Sequence, residues 1–300
     1  MRMAIRYRVC LFLVLLGMSC RKESTEAGKW QKGDMVFKYE QLEGDTIGAE
    51  GRLYDETSAL YFTGWGVYED IIFPGTGIDW SISHVAAPAV EGASLKCMIT
   101  GGDPYNNVFF TNTCALRWEG DPWVHQSAKY LVYELDVYIE GKLDCNEPDT
   151  ATIEGLELTW QHIEIPYSHG FGVQFSKGGE WRYWDDQMDA LGQAKGWRSF
   201  SPELFYCLIP NQWHHIQLEG YVTPSEIVYH RMRIDEIVFD LTSARLPYVP
   251  ATEGWVENFL QIGMQINGNK ATESAHGHGV DPVAVYLDNV TYTGFTLLEE

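Results

Sequence analysis

Two glutamates, Glu157 and Glu219, each fall on the polar side of a segment that alternates apolar and polar residues. A pair of carboxyls is what hydrolysis of a glycosidic bond needs. One protonates the leaving oxygen, the other attacks or activates water, and their separation sets the stereochemical outcome. If their segments are neighbours, Glu157 and Glu219 form a candidate acid and nucleophile. Gln161, Gln217, Gln261 and Gln265 occupy equivalent polar positions, and their amides both donate and accept hydrogen bonds, as a hydroxyl-rich ligand requires. Glu134, Asp136 and His215 extend the set. Trp181, Tyr183, Trp184, Trp197, Trp213 and Trp255 crowd the same stretch of chain. An indole face stacks on apolar ring faces while its N–H seeks a polar partner, so Trp181, Trp184 and Trp213 are candidate ligand contacts. The structural counterpart of each reading is plain: carboxylates solvated on an outer face, indoles filling a core. His214 and His215 are adjacent on a strand, so their rings point to opposite faces and do not share a metal. The sequence contains no phosphate-binding loop, dinucleotide-binding glycine run, serine-nucleophile elbow or Cys/His zinc spacing.

The elements that must position these residues read as strands. Val36–Leu42, Ala59–Trp65, Lys129–Glu140, Ile153–Ile165, His169–Ser176, Trp181–Asp185, Trp213–Val222, Ile227–Leu241, Phe259–Asn267 and Val283–Leu297 carry β-forming residues between turn signals. Ser94–Thr100 and Val108–Ala115 flank a Gly-Gly-Asp-Pro turn and predict a hairpin. Trp184–Ala194 is the one segment with a short helical signal. Residues two apart share a face of a pleat. Leu131, Tyr133, Leu135, Val137 and Ile139 therefore oppose Glu134 and Asp136; Ile216 and Leu218 oppose Trp213, His215, Gln217 and Glu219; Leu260, Ile262, Met264 and Ile266 oppose Gln261 and Gln265; and Leu156, Leu158 and Trp160 oppose Glu157 and Gln161. If the strands are neighbours, the polar sides merge into one trough. Many short strands with turn signals between them, and almost no helix signal, predict an all-β sandwich or barrel.

Arg2, Arg6 and Arg8 followed by the apolar run Val9–Leu16 predict a secretory signal, too short to span a bilayer. Leu16-Gly17-Met18-Ser19-Cys20 resembles a bacterial lipobox, which makes Cys20 the acylated residue. The expected organisation is a signal at 1–20, a polar tether at 21–34 and a single domain at 35–300, anchored by lipid in a bacterial cell envelope or, failing lipidation, secreted. The formal charge is −21, and loss of the three signal arginines leaves −24. That balance excludes nucleic acid as a partner and favours neutral glycans over strongly anionic ones. The membrane is met through the lipid alone. Of the cysteines left in the mature chain, Cys97 and Cys114 are placed to pair across the expected hairpin, and Cys145 with Cys207 across a long loop. Four free thiols are the alternative.

The series Gly155-Leu-Glu-Leu, Gly170-Phe-Gly-Val-Gln-Phe, Trp181-Arg-Tyr-Trp-Asp-Asp, Pro210-Asn-Gln-Trp-His-His, Ile262-Gly-Met-Gln-Ile-Asn and Tyr286-Leu-Asp-Asn-Val resembles the concanavalin A-like lectin/glucanase superfamily over Asp79–Phe295. It is nearest to secreted, laminin-G-like sandwich proteins. The resemblance implies an all-β, two-sheet antiparallel jelly-roll sandwich with a concave face. Glucanases of that superfamily carry Glu-x-Asp-x-Glu on one strand; here Glu134 and Asp136 match and Tyr138 replaces the third carboxyl. An acid near the last strand, here Asp288, serves in such jelly rolls as a calcium ligand or a loop anchor, so a structural calcium is the only cofactor suggested. Three functions follow as expectations: a lectin-like surface for poly- or oligosaccharide, a glycoside hydrolase or polysaccharide lyase in the same groove, and an adhesive envelope module.

Overall fold

The computed structural model describes residues 30–40, 61–67, 78–101, 107–115, 128–164, 167–188, 194–247, 249–250, 259–269 and 280–299. Cys20, Trp255 and the signal segment lie outside them. In chain order the strands are β1 (Trp30–Glu40), β2 (Tyr61–Val67), β3 (Ile78–Val85), β4 (Ser94–Gly101), β5 (Asn107–Ala115), β6 (Tyr130–Glu140), β7 (Ile153–Glu164), β8 (Tyr167–Ser176) and β9 (Glu180–Met188). They continue with β10 (Ala194–Phe205), β11 (Trp213–Val222), β12 (Glu226–Ile234), β13 (Ile237–Asp240), β14 (Arg245–Pro247), β15 (Val249–Pro250), β16 (Phe259–Gly268) and β17 (Val280–Glu299). Sheet A runs β13-β12-β11-β6-β17-β4-β3, with β1 also on β17 and β14 on β12. Sheet B runs β10-β9-β8-β7-β16-β5-β2, with β15 on β8. All pairings are antiparallel, so the chain is an all-β, two-sheet jelly-roll sandwich.

Alternation decides what lies between the sheets. Leu131, Leu135 and Val137 of β6 and Ile216 and Leu218 of β11 are buried from sheet A; Leu156, Leu158 and Trp160 of β7 and Ile262, Met264 and Ile266 of β16 are buried from sheet B. Aromatic packing joins the layers. Trp160 stacks on Phe171 at 5.1 Å, and Tyr229 of β12 meets Phe171 edge-on at 5.3 Å. The Phe171 ring occupies the space a β-carbon on Gly220 would need, 2.4 Å away, so β11 must carry glycine there. The disulfide Cys145–Cys207 ties the loop after β6 to the segment before β11.

Several expectations are corrected. Ser94–Thr100 and Val108–Ala115 form no hairpin: β4 lies in sheet A and β5 in sheet B. Cys97 is accordingly a buried free thiol, without the expected bond to Cys114. Trp184–Met188 continues strand β9 in place of a helical turn. Ile227–Leu241 is two strands, broken at Asp235, whose φ of 52° makes the turn. β1 starts at Trp30, so the expected tether gives its last five residues to sheet A. Strands β3 and β10 had no counterpart in the alternation reading.

Candidate functional site

The outer face of sheet B is laid out in rows by its register. Phe109, Gln265, Glu157, Gln174 and Arg182 stand opposite one another on β5, β16, β7, β8 and β9. Two residues along, Thr111, Gly263, Thr159 and Gly172 form the next row, and Thr113, Gln261, Gln161 and Gly170 the one after. The middle row is therefore low, and the rows beside it are amides and a carboxylate. A groove of about 330 Å³ opens over it, bounded by Phe109, Glu157, Gln161, Trp184, Asp186 and Trp197, among others. Its volume falls in the range of small-ligand sites.

Glycines shape both ends of the groove. A β-carbon on Gly263 would lie 2.5 Å from the Phe109 ring and 2.9 Å from Thr159 Oγ1, so glycine lets Phe109 lie down on the sheet. At the far end Trp184 of β9 and Trp197 of β10 are register partners with centroids 5.1 Å apart. The β-carbon of Trp184 would be 3.3 Å from one on Gly172. Here a core residue reaches through. The ladder between β8 and β9 stops at Val173 opposite Tyr183. Beyond it the Tyr229 hydroxyl accepts from the Gly172 N–H at 3.0 Å and lies 3.2 Å from the Gly172 and Trp184 carbonyls. That hydroxyl satisfies backbone groups that strand pairing leaves open.

The two groove carboxyls are held differently. Glu157 Oε1 accepts from Gln174 Nε2 at 2.9 Å and Asn267 Nδ2 at 2.7 Å. Burial pushes its carboxyl above the usual range, and those amide hydrogen bonds pull against the rise. Asp186 accepts a hydrogen bond from the Trp184 indole. Burial, and then the neighbouring Asp185 charge, push Asp186 up to about 6.

The structure divides the expected site between two faces. Glu157, Gln161, Gln261, Gln265 and Trp184 share the outer face of sheet B. Glu134, Asp136, Trp213, His215, Gln217 and Glu219 share the outer face of sheet A, on β6 and β11. Glu157 and Glu219 thus point away from each other across the sandwich and form no acid–nucleophile pair, because outer faces of packed sheets diverge. Trp181 is a core residue, 0% exposed, with its indole N–H on the Tyr206 carbonyl at 3.0 Å. Asp288 is a loop anchor: Oδ2 accepts from the Val90 and Glu91 N–H groups at 2.7 and 3.2 Å, and Oδ1 from that of Asn289. No group of three or more metal-ligating side chains occurs among the described residues.

On sheet A, Glu219 is buried and bonded to Tyr130, with Arg231 Nε 3.0 Å away. Burial opposes its ionisation, but His230, Tyr130 and Arg231 outweigh that and leave it below the usual carboxylate range. His214 faces the core and meets Asp235 at 2.8 Å, whereas His215 faces out, 2.8 Å from Asp136 and 3.2 Å from Glu134. The alternation reading missed Asp186, although Trp184 and Asp186 two apart on one strand share a face. It also missed Phe109 and Gly172, while Thr159 falls on the polar face with Glu157 and Gln161 as alternation expects; glycines inside strands such as Gly172 and Gly263 signal close approach by a neighbour.

Fold and groove together define a jelly-roll sandwich with a transverse, aromatic-ended trough on one sheet. No protein-family model matches the sequence, and no curated protein matches it. Solved structures do resemble it. An alginate lyase from Aplysia kurodai shares 12% identity over 75% of this chain and 91% of that one, with a TM-score of 0.36. A β-glucanase from Bacillus licheniformis shares 11% over 80% and 99%, TM-score 0.33. Winged bean acidic lectin, complexed with methyl-α-D-galactose, shares 8% over 78% and 100%, TM-score 0.35.

Proposed function

We propose that this chain is a lipid-anchored envelope protein whose sheet B groove binds a neutral glycan. One observation carries the reading: a low row of Gly263, Thr159 and Gly172, flanked by amide and carboxylate rows and closed by Phe109 at one end and Trp184 and Trp197 at the other. A sugar chain lying across the strands sets its apolar ring faces on the aromatic ends. Its hydroxyls meet Gln161, Gln265, Glu157 and Asp186, groups able to accept or donate in fixed positions. The net charge of −21 and two carboxyls in the groove disfavour anionic polymers.

Holding is favoured over cutting by how the two groove carboxyls are engaged. Glu157 Oε1 accepts from the Gln174 and Asn267 amides, and Asp186 accepts from the Trp184 indole, so each is tied to a fixed neighbour on the groove wall.

The test is a glycan array with the chain from residue 21 onward, which keeps every described strand, followed by reducing-end assay on each hit. Binding without release, weakened at least ~10-fold by Trp184→Ala, is the expected result. Release of reducing ends that disappears in Glu157→Gln would replace this reading with an enzyme. No binding to any neutral glycan would remove it.

A further inference from the structure

We infer that the outer face of sheet A carries a second glycan-binding surface, built by Trp213, Tyr138, His215, Glu134 and Gln217. It rests on the groove reading only for its ligand class. The same rules of register that order the groove order this face. Trp213 of β11, Tyr138 of β6 and Tyr286 of β17 stand in one row, with ring centroids 5.4 and 5.5 Å apart. Tyr286 is buried, bonded through its hydroxyl to Glu140 and lying under Lys96, and so backs the row. Trp213 and Tyr138 are half-buried. Among the described residues, the Trp213 indole N–H and the Tyr138 hydroxyl make no hydrogen bond.

The next rows supply fixed polar groups. His215 is clamped between Asp136 and Glu134, and Asp136 is held in turn by Asn289 Nδ2 at 2.7 Å. Gln217 and Glu134 face each other at 3.5 Å, the limit of a hydrogen bond, so both keep capacity for a ligand.

The chemistry of the face selects the ligand. Glu134 and Asp136 flank His215, and Arg233 and Arg231 follow Gln217 and Glu219 in register, so acids and bases alternate and the face offers no patch of one sign to a polyanion or polycation. Val238 is exposed in the same row, in line with Gln217 and Glu134 through Arg233, but it is a single side chain set against an arginine and not the contiguous apolar patch a protein partner covers. A pair of rings beside rigid carboxylate, imidazole and amide groups suits an uncharged, hydroxyl-rich molecule with a flat apolar side. The two surfaces face away from each other, so one protein engages two polymer segments, and its retention on polymer exceeds that of either face alone.

The experiment follows each indole N–H separately by NMR, with Trp213 assigned through Trp213→Phe. Hexasaccharides of β-1,3-glucan, β-1,4-glucan, mannan and galactan are titrated into the parent chain and into a Trp184→Ala/Trp197→Ala protein. The expected result is a Trp213 shift in both proteins, with Trp213→Ala lowering retention on the insoluble polymer about 10-fold. A Trp213 signal that stays still in both proteins overturns the inference; if Trp184 and Trp197 move in the parent, the groove reading stands alone. Movement of Trp213 with those two still supports this surface and removes the groove.

Discussion

Asp186 and Glu157 border one groove, yet only Asp186 has a charged neighbour beside it. Burial and Asp185 raise Asp186 to about 6, against roughly 3.9 in an unfolded chain. The folded state therefore binds the proton more tightly, and stability falls as pH rises from ~4 through 6. Asp186→Asn keeps an acceptor for the Trp184 indole and removes the charge. It should raise the melting temperature at pH 7 and leave it unchanged at pH 3.5, as differential scanning fluorimetry would read. His215 behaves in the opposite sense. Hydrogen bonds to Asp136 and then Glu134 push its imidazole up to about 9, above roughly 6.5 in an unfolded chain. The stability this adds is complete below ~6.5 and lost as pH rises through 9. Urea titrations of the parent and His215→Gln should differ at pH 6 and converge by pH 10, with water exposure keeping the difference small.

Strands place these residues, and what was legible in the sequence stops at the strand. Period-two alternation separated Glu157 from Leu156 and Gln217 from Ile216 correctly. It could not say that β7 and β16 belong to sheet B while β6 and β11 belong to sheet A. Both sheets are oily inside and polar outside, so their strands carry the same pattern. Pairing across sheets is decided by long-range packing, such as Phe171 seated on Gly220, which no local window records. The site was therefore half readable: its residue types were visible, its division into two faces was not. Gly263 offers a test at this scale. Gly263→Ala puts a methyl 2.5 Å from the Phe109 ring, on the outer face and away from the core. Phe109 must lift, and glycan affinity should fall ~10-fold or more, because a close-packed neighbour gives way at a cost of about 1–3 kcal/mol. Isothermal titration would measure the loss; an unchanged affinity would show that Phe109 is no wall.

At the scale of the molecule, a covalent link among the described residues fixes a path between the sheets. Cys145–Cys207 spans 62 residues and encloses β7, β8, β9 and β10, the Trp184 and Trp197 wall included. Closing a loop of that length contributes about 4 kcal/mol through the unfolded state. Cys145→Ser/Cys207→Ser should lower the urea midpoint accordingly, and reductant should have no effect on the variant. The start of the fold bears on where it works. β1 begins at Trp30, which pairs with Glu299, so both ends of the described fold meet at one end of sheet A. If Cys20 is acylated, nine residues separate lipid from sheet, a mooring of at most ~32 Å when fully drawn out. So short a line would keep the domain close to the bilayer. Polymer would have to come to it, and the Trp213 end of β11, thirteen residues along β17 from the moored Glu299 end, would be the side that incoming chains meet first.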